Sequence, residues 1–248
     1  MHSHLKGLHA VLLSAALAGC SAAPAPCLIQ RVLLGGYTMR FDLKGAAPAG
    51  CEATLPQTFG DNWTFEAYPD GTVGVTSDRI QNGGDPDPSH VGIGKGKLTA
   101  TEPDAQSYCY VTDVSEMRGD VNPFGLPPGQ ERLSYVSSKI TLLDGANYQG
   151  STFEAEVTVT VGTCTGSYVA QALTPSQVGR PCTDDTTCDP NADPQAGRPA
   201  GSGINADYAV ACQKAPWITD LLVAEGADPG DAANQGICFF TKPFPGLK

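Results

Sequence analysis

The chain reads as an all-β protein: an antiparallel β-sandwich or small β-barrel with a disulfide-stapled, loop-rich C-terminal extension. Three observations predict this. Apolar residues recur at every second position in several separate stretches between Tyr37 and Leu173, the repeat of a strand with one buried face. The chain holds 29 glycines and 20 prolines among its 248 residues, and both residue types break helices. Eight cysteines follow Cys20, at Cys27, Cys51, Cys109, Cys164, Cys182, Cys188, Cys212 and Cys238. An even count of this kind reads as a disulfide framework.

The elements follow in order. Tyr37, Met39, Phe41 and Leu43 alternate with Thr38, Arg40 and Asp42. Trp63, Phe65 and Ala67 alternate with Thr64 and Glu66, Pro69-Asp70-Gly71 turns the chain, and Val73 and Val75 return. That pattern is a hairpin, and it places Trp63 in the core. Further strands are expected over 91–101, 107–113 and 132–143. The turn Asp144-Gly145-Ala146-Asn147 precedes the clearest strand, 151–161. There Phe153, Ala155, Val157, Val159 and Val161 share one face, and Thr152, Glu154, Glu156, Thr158 and Thr160 the other. A last strand covers 167–173. About eight strands at this spacing suit a sandwich or a barrel.

Composition changes near Gly179. Residues 179–203 carry Pro, Gly, Asp and Thr with few large apolar side chains, and the last four cysteines lie in 179–248. A β domain over 27–178 with a cysteine-rich module packed on or near it is the expected organisation. In the module, Tyr208–Cys212 predicts a strand added to the main sheet, and Ile218–Ala224 predicts a helix ended at Gly226.

Residues 1–19 have the form of a secretory signal: His2, His4 and Lys6, then an apolar run from Ala10 to Ala18. That run is too short to span a bilayer. It ends in Leu17-Ala18-Gly19-Cys20, which resembles the lipobox of bacterial lipoproteins. The resemblance implies cleavage before Cys20 and acylation of that cysteine, with 20–26 as a spacer. Ser21 stands where an aspartate is associated with inner-membrane retention, so the resemblance points to the outer membrane. It also accounts for the ninth cysteine.

Several chemistries are disfavoured. With 26 acidic against 15 basic residues, the net charge is −11, the wrong sign for phosphate-rich nucleic acid. Three of four histidines lie within the first 19 residues, which leaves His90. A histidine-rich metal site is therefore ruled out in the cleaved chain, and a Ser-His-Asp triad would need His90. No G-x-S-x-G, Walker, H-E-x-x-H or G-x-G-x-x-G motif occurs. No C-x-x-C pair supports zinc.

The remaining candidates are specific. Asp189-Pro190-Asn191-Ala192-Asp193 matches the opening of a calcium loop, so Asp189, Asn191 and Asp193 are metal candidates. The loop departs from the pattern at Pro194 and Ala200. Calcium at Asp189, Asn191 and Asp193 is the one cofactor the sequence suggests. Asp113, Glu116 and Asp120, or Glu154 and Glu156, could supply the two carboxyls of a glycan-active site. Phe124 and Leu126, in the Gly/Pro-rich stretch 119–130, are candidates for a partner contact.

The expectation is a non-catalytic cell-envelope lipoprotein, lipid-anchored at Cys20, acting as a scaffold, adhesion or interaction domain with a protein or glycan partner. One alternative is a carrier of a small apolar ligand inside a barrel. Another is a carboxylate-dependent glycan-active enzyme.

Overall fold

The computed structural model describes residue 27 and residues 36–82, 92–120, 132–144, 147–178, 180–191, 195 and 201–248. Eight strands form a closed antiparallel barrel. They are β1 (Tyr37–Leu43), β2 (Thr58–Ala67), β3 (Thr72–Ser77), β4 (Ile93–Leu98), β5 (Tyr108–Asp120), β6 (Arg132–Leu143), β7 (Thr152–Val161) and β8 (Cys164–Leu173). Each strand pairs with its neighbour in sequence, and β1 closes the ring by pairing with β8, with Phe41 opposite Ala170. The barrel is therefore the one of the two expected all-β architectures that the chain adopts.

The inward positions explain why it closes. An eight-stranded barrel has an interior just wide enough for side chains to fill. Here aromatic rings fill it. Phe41 stacks on Phe59 with centroids 4.5 Å apart, Tyr37 meets Phe153 edge-on at 4.9 Å, and Trp63 meets Tyr135 at 5.5 Å. All six side chains are buried. On β4 the inward positions are the glycines Gly94 and Gly96. A Cβ on Gly94 would lie 2.8 Å from Met117 Cγ, and one on Gly96 would lie 2.7 Å from Val111 Cγ1. The glycines of β4 let that strand approach β5.

Strand limits differ from the sequence reading where the pattern breaks. β5 runs on past residue 113, through a bulge between Val114 and Met117. Asp113, just before it, has φ +55°. Bulges shift the alternation by one residue and so hide a strand's continuation. A second bulge lies between Ser137 and Lys139 of β6. The Ser137 hydroxyl bonds the carbonyls of Lys139 and Glu156 there.

Up-and-down topology puts the connections at two ends. One end carries the turn at 68–71, the 99–107 connection, the link from β6 to β7 and the entry to β1. The other carries the 44–57 loop, the link from β3 to β4 and the 162–163 turn. Each end is stapled. Cys27–Cys109 lies at the first and Cys51–Cys164 at the second, joining residues 82 and 113 apart. They are called below the Cys109 end and the Cys51 end.

The C-terminal module has its own cluster of buried residues. A two-stranded sheet of β9 (Val210–Gln213) and β10 (Ile237–Phe240) is crossed by Cys182–Cys212 and Cys188–Cys238. β9 pairs with β10 and not with the barrel, contrary to the expectation for 208–212, because the ring is already closed and offers no edge. The short α1 (Asp78–Asn82) follows β3, and α3 (Pro229–Ala232) lies within the module. The helix α2 (Pro216–Ala224) begins with proline at its first turn, where a missing N–H costs nothing. It stops as expected at Gly226, φ +95°. There Gly226 N–H bonds Val223 O and Ala227 N–H bonds Leu222 O, a Schellman ending. Ile204, Tyr208, Phe239 and Phe240 form one cluster with the barrel residues Leu143 and Leu173. The module thus reaches the Cys109 end, and it also lies along the outer wall, with Phe239 beneath Arg40 of β1 and Trp217 and Leu221 against Gly60 of β2.

Candidate functional site

The densest polar chemistry lies where α2 meets β2. Asp61 points into the barrel and is fully buried. It accepts from Trp63 Nε1 at 3.0 Å, Ser77 Oγ at 2.6 Å, Asn62 N at 2.7 Å and Arg79 N at 3.3 Å. The buried Arg79 side chain donates from Nε to Gly60 O at 2.8 Å. Burial pushes the Asp61 carboxyl above its ordinary range; the Arg79 charge and the donors pull it back. Beside it, burial and then the Asp61 charge push the Tyr135 hydroxyl well above the usual tyrosine range.

The module contributes to the same cluster. Trp217, Leu221 and Glu225 are spaced by four, so they share one helix face. A Cβ on Gly60 would meet Trp217 Cε3 at 2.9 Å and Leu221 Cβ at 3.1 Å, so the first two cover β2. Glu225, the third, has its carboxyl pushed up to about 7 by burial, with Asp78 and Asp61 adding and Arg79 opposing. A carboxylate at a helix C-terminus also meets the negative end of the helix dipole. Asp78 is raised by burial, opposed by the Asn62 Nδ2 bond at 2.7 Å. The cluster holds three carboxyls, a guanidinium and a phenol. With four donors around it, Asp61 is fitted to hold side chains in place and poorly fitted to take a proton from a substrate. The sequence signal was the inward period Phe59, Asp61, Trp63, Phe65: a charge on the core face of a strand.

The predicted residues are dispersed. Glu154 and Glu156 lie on the outer face of β7. Glu156 is exposed and paired with Lys44 at 3.5 Å. Burial and then the Glu156 charge raise the Glu154 carboxyl, and Lys44 opposes them. Glu154 lines an open concavity of about 250 Å³ with Arg40, Asp42, Gln171, Lys242 and Phe244. Arg40 is engaged there, bonding Asp42 Oδ2 at 2.9 Å and lying over the Phe239 ring at 5.6 Å. On β5, Glu116 pairs with Arg118 at 3.0 Å. Asp113 stands just before the bulge of β5, and Asp120 is the last residue of that strand.

Asp189 and Asn191 border a cleft of about 530 Å³ with Asp185, Asn205 and Lys248. Asp189 Oδ1 accepts from Asn191 N, and Asp185 Oδ1 from Cys212 N, both at 2.9 Å. These oxygens face their own backbone. Asp193, His90, Phe124, Leu126 and Cys20 lie outside the described residues.

All eight cysteines from Cys27 onward are disulfide-bonded. Sulfurs of Cys182, Cys188 and Cys238 lie within 4.8 Å of one another, but none is the thiolate that zinc requires. Among the described residues, no helix is long and apolar enough to cross a membrane.

Comparison with curated proteins and with solved structures finds no match to the chain. The family model MlpA matches residues 35–175. That span is more than half of the 248 residues, begins just before β1 and ends just after β8. The chain therefore belongs to the MlpA family, and its membership is carried by the eight-stranded barrel.

Proposed function

We propose that this chain is a lipid-anchored cell-envelope protein whose stapled barrel serves as a rigid, non-catalytic interaction module, most simply at the outer membrane. One observation carries the reading. Every cysteine from Cys27 onward is spent in a disulfide, and the remaining one, Cys20, closes the lipobox-like Leu17-Ala18-Gly19-Cys20. Disulfides persist in oxidising compartments, and a cysteine left out of the framework at that position suits acylation.

The interior supports a module and weighs against a carrier. Phe41, Phe59, Trp63, Tyr135 and Phe153 occupy the space that an apolar ligand would need. The β7 carboxyls do not support glycan hydrolysis, because Glu156 is on open surface beside Lys44 and a hydrolase needs two carboxyls flanking one bond.

The test is the mass of the N-terminal peptide. The complete chain is expressed in a Gram-negative host, and the membrane and soluble fractions are separated. Acyl mass on Cys20 in the membrane fraction, with Cys20→Ser recovered in the soluble periplasmic fraction, is the expected result. An unmodified Cys20, or a Cys20→Ser variant that stays with the membrane, overturns the reading.

A further inference from the structure

We propose that the four cysteines of the C-terminal module form a disulfide-exchange site: a thiol that opens Cys182–Cys212 drives the module to re-pair as Cys182–Cys188 and Cys212–Cys238. The site is independent of the lipid anchor and of the two barrel disulfides.

The sheet register places the alternative pairs. Cys212 of β9 stands directly opposite Cys238 of β10, yet each is bonded elsewhere. The Cys212 backbone N–H points away from β10, to Asp185 Oδ1 at 2.9 Å. The two therefore form a non-hydrogen-bonded pair, in which Cα atoms approach to about 4.5 Å and side chains stand closest. A disulfide spans Cα separations of about 4.4–6.8 Å, so this pair suits a cross-strand bond. Cys182 and Cys188 are also close. Asp184 caps one 3₁₀ turn, Asp185–Cys188, by accepting from Thr186 N at 2.9 Å. Across that turn, sulfurs of Cys182, Cys188 and Cys238 lie within 4.8 Å of one another. A disulfide is about 2.05 Å long, so less than about 3 Å of approach makes a new one.

Two features favour exchange over simple opening. The attacking atom is kept in place: Cys182 exchanges both backbone hydrogen bonds with Gly236, at 2.8 and 3.0 Å. Gly236 is two residues before Cys238, so the Cys182 sulfur stays beside Cys188–Cys238 after its own bond is cut. Charge then selects the leaving sulfur. Cys238 borders a cleft of about 340 Å³ with Arg180, and Cys188 borders one with Asp185 and Asp189. A neighbouring cation favours a thiolate, so Cys238 leaves and Cys188 is captured.

Cys182, Cys188 and Cys238 are buried, and Cys212 is partly exposed. An external thiolate attacks Cys212 Sγ, the Cys182–Cys212 bond breaks, and Cys182 leaves as a thiolate. It attacks Cys188 Sγ, forming Cys182–Cys188 and releasing Cys238 as a thiolate. Cys238 attacks the mixed disulfide on Cys212, forming Cys212–Cys238 and returning the external thiolate. Each step moves one electron pair, no oxidant or reductant is consumed, and the thiol acts as a catalyst. In the observed pairing both bonds tie the segment 182–188 to the sheet. In the new pairing segment and sheet each close on themselves, and the walls that this segment gives to both clefts lose their covalent tie.

Disulfide mapping tests the exchange. The complete chain carries Cys20→Ser, so that the eight paired cysteines are the only ones. It is incubated without oxygen with reduced glutathione, quenched with acid, labelled with a maleimide and cleaved before aspartate. Asp184 and Asp185 separate Cys182 from Cys188, and Asp220, Asp228 and Asp231 separate Cys212 from Cys238, so each pairing gives its own linked peptides. The Cys182–Cys212 and Cys188–Cys238 peptides are expected to be lost one for one as the Cys182–Cys188 and Cys212–Cys238 peptides appear. Cys27–Cys109 and Cys51–Cys164 are expected to stay unchanged. Persistence of both native module pairs, their opening to four labelled thiols without the crossed pairs, or crossing with barrel cysteines overturns the proposal. Cys212→Ser removes the need for added thiol, because Cys182 then starts as the free one. Label is expected to be shared between Cys182 and Cys238; label on Cys182 alone overturns the proposal. If that variant does not fold, the glutathione result in the fully paired protein decides.

Discussion

Asp61 and Trp63 stand two residues apart on β2, both facing into the barrel, and the Trp63 indole Nε1 donates to Asp61 Oδ2 at 3.0 Å. A charge in an aromatic core is tolerated only with its bonds made. Ser77, Arg79 and Asn62 make the rest. The relationship ties the largest core side chain to α1 and, through Arg79, to the surface on which α2 lies.

Replacing Asp61→Ala removes that hub. It leaves the Trp63 N–H, the Ser77 hydroxyl and the Arg79 backbone N–H without their acceptor, and it removes the negative charge that faces the buried Arg79 side chain. Loss of one partner in a buried charged network costs about 3–5 kcal/mol. The urea midpoint should fall accordingly, with a change in near-ultraviolet circular dichroism from Trp63. An unchanged midpoint would show that Asp61 is dispensable to the core.

Gly60→Ala tests the docking of α2. The added methyl would stand 2.9 Å from the Trp217 ring and 3.1 Å from Leu221. A ring held by Phe239 at 5.6 Å has little room to give. Overpacking of this kind costs about 1–3 kcal/mol. Faster limited proteolysis of the module is expected, with the barrel left protected. Equal cleavage rates would place the helix elsewhere.

Glu225 makes stability depend on pH in a stated direction. Its carboxyl stands at about 7 in the fold against 4.5 ordinarily. Between those values the folded state binds more protons than the unfolded, so stability falls as pH rises through that window and stays lower above it. Glu225→Gln should flatten the curve. At pH 8 it should raise stability by about 1–2 kcal/mol, discounted for partial exposure. Denaturation at pH 5 and pH 8 checks this; a variant with the same slope as the parent would refute it.

The disulfides should divide by location. Losing Cys51–Cys164, which closes 113 residues, should cost the barrel about 2–5 kcal/mol. Replacing Cys182 and Cys212 by Ser should loosen the module while Tyr135 and Trp63 keep their native near-ultraviolet signal. A barrel that unfolds equally in both variants would mean that the two parts fold as one.

Much of the architecture was legible in the sequence. The alternation of β1, the hairpin at Pro69-Asp70-Gly71 and the eleven-residue pattern around Val157 all correspond to strands in the structure. A period of two is a local consequence of strand geometry, so it survives in a single chain. The bulge between Val114 and Met117 was not legible, because an inserted residue destroys that period. Nor was the pairing of β9 with β10, because it depends on there being no free edge on the barrel.

The candidate site was legible only in part. Asp61 is one acidic residue among 26 acidic residues, and nothing local distinguishes it except its inward phase on β2. Glu225 lies 164 positions further along the chain, and only packing of α2 on Gly60 brings the two together. By itself the sequence determined the strand content, the even cysteine framework, the helix stop at Gly226 and the signal-like start. Those rest on backbone geometry and on counting. Barrel closure through β1 and β8, the four cysteine pairings, and the meeting of Asp61, Asp78 and Glu225 were decided by the tertiary structure. They depend on which distant surfaces fit together, and neither spacing nor composition records that fit.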